Sequence, residues 1–133
     1  MKTALRIVAP ITWMALLWLL SSIPAAPDKT MAGLYIPKVL QKLMHVVAYA
    51  TLAVTWLWAF DARPVTARAG MWAVCLTSAY AAVDEFHQTF VPGRTGSPLD
   101  VGLDTFAAAL GVVAVAALRE ASKALAAAAD SGA

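Results

Sequence analysis

The chain has 133 residues, of which 61% are hydrophobic and only 14% are charged, and its mean hydropathy is +0.70. A soluble domain carries about 25% charged residues, so the polar side chains here are too few to cover a water-soluble globule. The net charge of +2 is small and the basic residues are scattered, which argues against a nucleic-acid partner. Cys75 is the single cysteine and cannot form an internal disulfide. The composition therefore indicates an integral membrane protein.

Four apolar segments predict membrane-spanning helices at about residues 4–23, 43–60, 69–91 and 98–118. Each is close to the ~20 residues that cross a bilayer core, and only helices satisfy their own backbone hydrogen bonds there. Ser97 and Pro98 suit the N-cap and the first turn of the fourth helix. We expect an alanine-rich helical tail over residues 120–133. The fold class is therefore all-α, an integral membrane four-helix bundle in which residues 1–133 form a single domain.

The basic residues favour a cytoplasmic location for both termini under the positive-inside rule. In that orientation the cytoplasmic side holds Lys2, Arg6, Arg63, Arg68, Arg119 and Lys123. The outer side holds fewer, namely Lys29, Lys38, Lys42 and Arg94. We therefore expect a multi-pass protein of the bacterial cytoplasmic membrane.

The first apolar segment has an alternative interpretation as a secretory signal peptide. Lys2 and Arg6 precede an apolar run that ends near Ala26, as in such peptides. Pro24 and Pro27 flank the candidate cleavage site, where proline is unfavourable. We therefore expect this segment to remain as a membrane helix.

Polar and ionisable side chains interrupt three of the predicted helices at one membrane depth. Helical spacing places the members of each set on one face. They are Lys42, His45 and Tyr49 on the second helix, Asp84, Glu85 and Gln88 on the third, Arg94 in the next loop, and Asp100 and Asp104 on the fourth. Ionisable groups are costly inside a membrane, so a group of them indicates a functional site at the outer ends of the helices.

The residue types in this group suit an anionic ligand. Lys42 and Arg94 provide positive charge and several donors for a phosphate or carboxylate. The head-group site is completed by Tyr49, Gln88, Asp100 and Asp104. The residues that orient the cations and His45 are Asp84, Glu85, Gln88, Asp100 and Asp104. If the site is catalytic, His45 with Glu85 or Asp84 is the candidate acid–base pair.

Each residue also has a structural interpretation. Lys42 can extend its amine to the membrane interface, and Asp100 can form a capping box with Ser97. Tyr49 can pack between helices, and His87 can be an interfacial residue. The whole group can also be a polar network that only fastens the bundle.

A metal site is an alternative because His45 and the carboxylates are ligand types for divalent ions. However, Lys42 and Arg94 would repel a cation, and the sequence shows no compact metal-ligand spacing. We therefore expect no metal and no cofactor.

Two of these patterns carry a family resemblance. The run from Asp84 to Arg94, DEFHQTFVPGR, is followed by Asp100, and Lys42 to His45 is followed by Tyr49. Both resemble the motifs of the VanZ-like family, and the resemblance covers about residues 10–118. Two positions depart from the family pattern, since Gln41 stands where Asp is usual and Asp104 stands where Asn is usual.

The resemblance implies a cell-envelope function, and for the family's namesake a link to resistance to the glycopeptide teicoplanin. We expect membrane lipids as partners, with an anionic lipid or cell-wall precursor head group in the site and no nucleic acid. A lipid-modifying enzyme and a structural or partner-binding protein are the alternatives. Small residues suit close helix contact within one chain or in a homo-oligomer, namely Ala107, Ala108, Ala109 and Gly111.

Overall fold

The computed structural model describes residues 2–25 and 37–131, and the regular structure in these ranges is entirely α-helical. Four helices follow in chain order, α1 (Lys2–Ser21), α2 (Lys38–Ala59), α3 (Ala67–Gln88) and α4 (Pro98–Ser131). The predicted all-α class and the four helices are confirmed. The segment around Pro27 and Lys29, which the sequence places between the first two helices, lies outside the described residues.

Helix boundaries differ from the expected ones where polar residues flank the apolar segments. Helix α2 begins at Lys38 instead of near residue 43, so Lys42 lies within its first turns. Helix α3 ends at Gln88 instead of near residue 91, and a turn follows. The hydroxyl of Thr66 caps the start of α3 by accepting the Ala69 N–H at 3.2 Å. Hydropathy alone did not locate these ends, because polar residues extend α2 before its apolar segment, whereas the apolar Phe90 and Val91 lie in the turn after α3.

Contacts between helix ends show that the four helices alternate in direction. At one end, Arg6 of α1 lies 2.5 Å from Asp61, which follows α2, and Arg119 of α4 donates to the carbonyl of Ala62. At the other end, the Ala25 N–H beyond α1 donates to the Pro92 carbonyl beyond α3 at 3.1 Å. We call the first the basic end, which carries Arg6, Arg63 and Arg119, and the second the polar end, which carries Ser21, His45, Glu85 and Asp104. At the basic end, the hydrogen bond from Arg6 holds the pKa of Asp61 below its usual value.

The apolar core lies between these two ends. One cluster consists of Leu17, Tyr49, Leu52, Tyr80 and Ala81, and a second one consists of Leu57, Ala62 and Ala73. Helix α4 packs closely on α2 through small residues. Gly111 is buried, and a Cβ there would lie 2.8 Å from the carbonyl oxygen of Ala50. Ala107 and Ala108 are also buried, so this stripe is used within the chain.

Helix α4 is long and apolar enough to cross a membrane by length and composition. Among the described residues it is the one helix that meets both conditions, and Leu5–Ser21 forms a shorter apolar helix. Beyond the bundle α4 continues as an exposed helix from Glu120 to Ser131, as its alanine-rich composition predicted.

Candidate functional site

The predicted site residues lie together at the polar end, where α1 and α3 end and α2 and α4 begin. They separate into three groups of contacts. One is centred on Asp84, one joins His45, Glu85 and Asp104, and one is an exposed pair between Lys42 and Asp100. Arg94 lies apart from these groups.

The carboxylate of Asp84 is buried and accepts three hydrogen bonds. Ser21 donates its hydroxyl to Oδ1 at 2.6 Å, and Tyr49 donates its hydroxyl to Oδ2 at 3.1 Å. Gln88 donates from Nε2 to Oδ2 at 3.0 Å. Asp84 is 2% exposed, so its charge depends on these donors, which come from three different helices. Asp84 therefore fastens α1, α2 and α3 to one another.

Ser21 is a site residue that the sequence did not single out. It is 6% exposed, and its hydroxyl lies 2.6 Å from Asp84 Oδ1 and 3.1 Å from the Trp18 carbonyl, whereas its neighbour Ser22 bonds to the Trp18 carbonyl in an exposed position. A serine pair at the end of an apolar helix usually forms such local bonds to the preceding turn. The only sequence signal was its depth, since Ser21 ends α1 at the level where Asp84 lies on α3.

Glu85 joins the end of α3 to the start of α4. Its Oε2 accepts the backbone N–H of Ser97 at 2.8 Å, and its Oε1 accepts from Nε2 of Gln88 at 3.3 Å. In a capping box, the Asp100 carboxylate would accept the Ser97 N–H. In the structure Glu85 accepts this N–H instead. Gln88 also donates to Asp84, so it links the first two groups of the site.

His45 and Asp104 face each other between α2 and α4. His45 Nδ1 lies 3.5 Å from Oδ2 of Asp104, and one ligand atom from each of His45, Asp104 and Glu85 lies within 4.8 Å of the others. Asp104 is fully buried, and its Oδ1 has no hydrogen-bond partner among the described residues. A buried polar atom left unpaired costs about 1–3 kcal/mol. The sequence offered Asp84 or Glu85 as the acid–base partner of His45, and it gave Asp104 as one of several residues that orient His45.

Lys42 and Asp100 form the outer rim of the site. Lys42 Nζ lies 3.1 Å from Oδ1 of Asp100, with 63% and 30% of the two side chains exposed. Lys42 and His45 are three residues apart on α2, and Asp100 and Asp104 are four apart on α4. The two pairs therefore lie one helical turn from each other, with the exposed pair outermost.

Arg94 contacts the end of α1 and not the carboxylates that we expected it to pair with. Its Nε donates to the Ile23 carbonyl at 3.1 Å and its Nη2 to the Leu20 carbonyl at 3.4 Å. The last carbonyls of a helix lack the usual N–H donor from four residues further on. The Leu20 carbonyl also accepts the Ile23 N–H at 3.3 Å, so the guanidinium adds a second donor there and a donor to the Ile23 carbonyl. The turn before Arg94 supports this contact, because the Pro92 carbonyl accepts the Ala25 N–H.

The second histidine of the chain lies outside the three groups. The ring of His87 stacks on Trp18 with 3.8 Å between ring centroids, and it is half-buried. This contact joins α3 to α1 through apolar surface.

The arrangement defines a helical bundle with buried carboxylates at one end, beneath an exposed lysine. A family model described as VanZ/LLP1 matches residues 5–119. The chain therefore belongs to the VanZ/LLP1 family, as the resemblance in its motifs indicated. Comparison with curated proteins and with solved structures gives no significant match.

Proposed function

We propose that this VanZ/LLP1 family member is a multi-pass protein of the bacterial cytoplasmic membrane with both termini in the cytoplasm. Its polar end lies at the extracytoplasmic face and binds the anionic head group of a lipid or cell-wall precursor. The observation that carries the proposal is the exposed Lys42 above a buried polar group. The membrane embedding, the orientation and the ligand each rest on separate arguments.

The membrane embedding rests on the distribution of polar and apolar side chains. Large apolar residues are exposed on every helix, for example Leu19 (66%), Val47 (64%), Met71 (57%) and Val113 (63%). The buried side chains include Asp84 and Asp104. In water such a bundle would expose much more apolar surface than a soluble monomer tolerates. The three shorter helices have 20, 22 and 22 residues, about 30–33 Å of rise, which suits a hydrocarbon core of ~30 Å.

The orientation rests on where the basic side chains lie. The basic end carries Arg6, Arg63 and Arg119, and α3 begins beside it with Arg68. At the polar end, Lys42 is paired with Asp100, and Arg94 is bonded to carbonyls of α1. The positive-inside rule favours the basic end as the cytoplasmic one.

The head-group ligand rests on the exposure of Lys42. Its ammonium lies at the mouth of the site, and its carboxylate partner Asp100 is itself partly exposed. An exposed ion pair of this kind contributes at most about 1 kcal/mol, so a phosphate can replace Asp100 as partner of Lys42 at little cost. Arg94 has a different role in this proposal, in which it holds the end of α1 against the rim. Where the ligand is a cell-wall precursor, the protein would influence glycopeptide susceptibility.

Native mass spectrometry of the detergent-purified protein tests this function. We expect the wild type to retain a discrete anionic lipid and Lys42→Ala to lose it. Lys123→Ala is the matched control, because Lys123 is also exposed and paired with an acid, Glu120, but lies on the tail of α4. Retention of the same lipid by Lys42→Ala would refute the head-group site. Equal loss from both variants would indicate a nonspecific charge effect and would also refute it.

A lipid-modifying enzyme is the second candidate, and the His45–Asp104 pair favours it. An imidazole held by a buried carboxylate is a common arrangement for a general base. This candidate predicts that purified protein converts a phospholipid or polyprenyl phosphate in detergent, and that His45→Ala abolishes turnover while lipid retention persists. Absence of conversion across both lipid classes would contradict it.

A further inference from the structure

We infer that His45, Glu85 and Asp104 form a binding site for a divalent metal ion between α2, α3 and α4. The ligand atoms of the three residues lie within 4.8 Å of one another, although they are 40 and 19 positions apart along the chain. The inference does not depend on the proposed head-group function. It concerns the side chains that lie below the exposed Lys42–Asp100 pair and not that pair itself.

The first argument is that a buried carboxylate oxygen lacks a partner at this point. Asp104 is fully buried, its Oδ2 faces His45, and its Oδ1 has no hydrogen-bond partner among the described residues. Polar atoms buried this deeply nearly always have a partner, and an ion is one explanation for an exception. A cation bound by Asp104 would satisfy the carboxylate.

The second argument is the geometry of the donor atoms. Two ligands at about 2.0–2.1 Å from a tetrahedral zinc ion are roughly 3.3 Å apart, and His45 Nδ1 lies 3.5 Å from Asp104 Oδ2. Glu85 completes the set, with a carboxylate oxygen within 4.8 Å of the other two ligand atoms. One imidazole and two carboxylates suit Zn²⁺ or Mn²⁺ and leave coordination positions for water or a substrate oxygen.

The third argument is that the surrounding residues orient the ligands. Glu85 accepts from Gln88 and from the Ser97 N–H, which hold its carboxylate toward α4. Metal-binding carboxylates are usually fixed by such outer hydrogen bonds. His45 is 32% exposed while Asp104 is fully buried, so an ion can enter from the rim past the imidazole.

The fourth argument concerns charge. The expectation of no metal rested on repulsion by Lys42 and Arg94 and on the absence of a compact spacing. In the structure Lys42 is paired with Asp100 and Arg94 is bonded to carbonyls of α1. The ligands come from three helices, which no local spacing in the sequence can reveal. Among the described side chains around the three ligands, Asp84 and Asp100 add negative charge and Lys42 is paired with Asp100, so a divalent ion improves the local charge balance.

Mn²⁺ binding to the full chain tests the inference. The protein is purified in a nonionic detergent without added phospholipid or a histidine tag, treated with chelator, and titrated with Mn²⁺ under electron paramagnetic resonance. We expect one bound Mn²⁺ per chain, displaced by Zn²⁺. Asp104→Asn should weaken binding at least tenfold, since removal of even an outer-shell partner of a metal ligand costs 10–100-fold. Glu120→Gln is the matched control, because it also neutralises an acid on α4, but at an exposed position.

His45→Gln is the second ligand variant. His45 is partly exposed whereas Asp104 is fully buried, so this replacement should disturb the packing of the bundle less. Helical circular dichroism verifies that each variant is folded. Loss of Mn²⁺ binding in either folded ligand variant, with binding intact in Glu120→Gln, would support the site. Absence of stoichiometric binding by the wild type, or equal affinity in the wild type and the folded ligand variants, would overturn it. Lys42→Ala, which removes the proposed head-group contact, is titrated in parallel and should bind Mn²⁺ as the wild type does. Equal binding by these two proteins separates the metal site from any retained lipid.

Discussion

Glu85, in the last turn of α3, accepts the backbone N–H of Ser97 at 2.8 Å, so an acid of one helix caps the start of the next. Ser97 precedes Pro98, the first residue of α4, and therefore occupies the N-cap position. In an ordinary capping box the acid lies three residues after the cap on the same helix. Here the acid comes from the preceding helix, and the bond fixes the turn that contains Arg94 between α3 and α4.

Replacement of Glu85 should therefore destabilise the junction between α3 and α4. Glu85→Ala removes the acceptor of the Ser97 N–H, and loss of a helix cap costs about 0.5–2 kcal/mol. We expect a lower thermal midpoint in detergent, measured by circular dichroism. Glu120→Ala removes an exposed acid from α4 and should leave the midpoint nearly unchanged. Equal midpoints for the two variants would show that the bond to Ser97 contributes little.

Ser21 should stabilise the bundle far more than its neighbour Ser22. Ser21→Ala leaves Oδ1 of the buried Asp84 without its 2.6 Å donor, and a hydrogen bond to a charged group is worth about 1.5–3 kcal/mol. Ser22→Ala removes an exposed bond to the Trp18 carbonyl and should change stability by no more than about 0.5 kcal/mol. Thermal unfolding of both variants in the same detergent measures the difference, and equal effects would contradict the role of Asp84 as a fastener.

These two contacts show how far the sequence predicts the site. Hydropathy and helical spacing located four helices, and they placed His45, Asp84, Glu85 and Asp104 at one level, because a residue's face and depth follow from position along a helix. The partners were not predictable in this way. Whether His45 meets Asp104 or Asp84 depends on the rotation of each helix and on close approaches such as that of Gly111 to Ala50. These features are set by tertiary packing.

Arg94 illustrates the same limit for a loop residue. A basic side chain near four carboxylates suggested ion pairing, but the structure directs it to the carbonyls of Leu20 and Ile23. The sequence contains no local signal for which helix end accepts this guanidinium, since the last carbonyls of every helix lack the usual N–H donor. Which residue satisfies them depends on how the turn after α3 lies against α1.

Gly93 should be required for that contact between the turn and α1. Its φ is +76°, and a Cβ there would lie 1.8 Å from the carbonyl oxygen of Ala25. Gly93→Ala should therefore displace the turn and lower the thermal midpoint, at a cost of more than about 1 kcal/mol. Gly102→Ala is the matched control, because Gly102 is helical with nothing within 4 Å of the added Cβ, and alanine there should be neutral or stabilising by about 0.5–1 kcal/mol. A Gly93→Ala protein as stable as Gly102→Ala would refute the close approach to Ala25.

The proposed orientation predicts which residues a membrane-impermeant thiol reagent reaches in intact cells. The native Cys75 is exposed on α3 and is removed by Cys75→Ala, which gives a background without reactive thiols. In that background Thr95→Cys, in the loop at the polar end, should be labelled from outside the cell. Ser131→Cys, at the end of α4, should be labelled only after the membrane is permeabilised. The opposite pattern would place the polar end in the cytoplasm, where an extracytoplasmic head group cannot reach Lys42. Labelling of both positions in intact cells would mean that α4 does not cross the membrane.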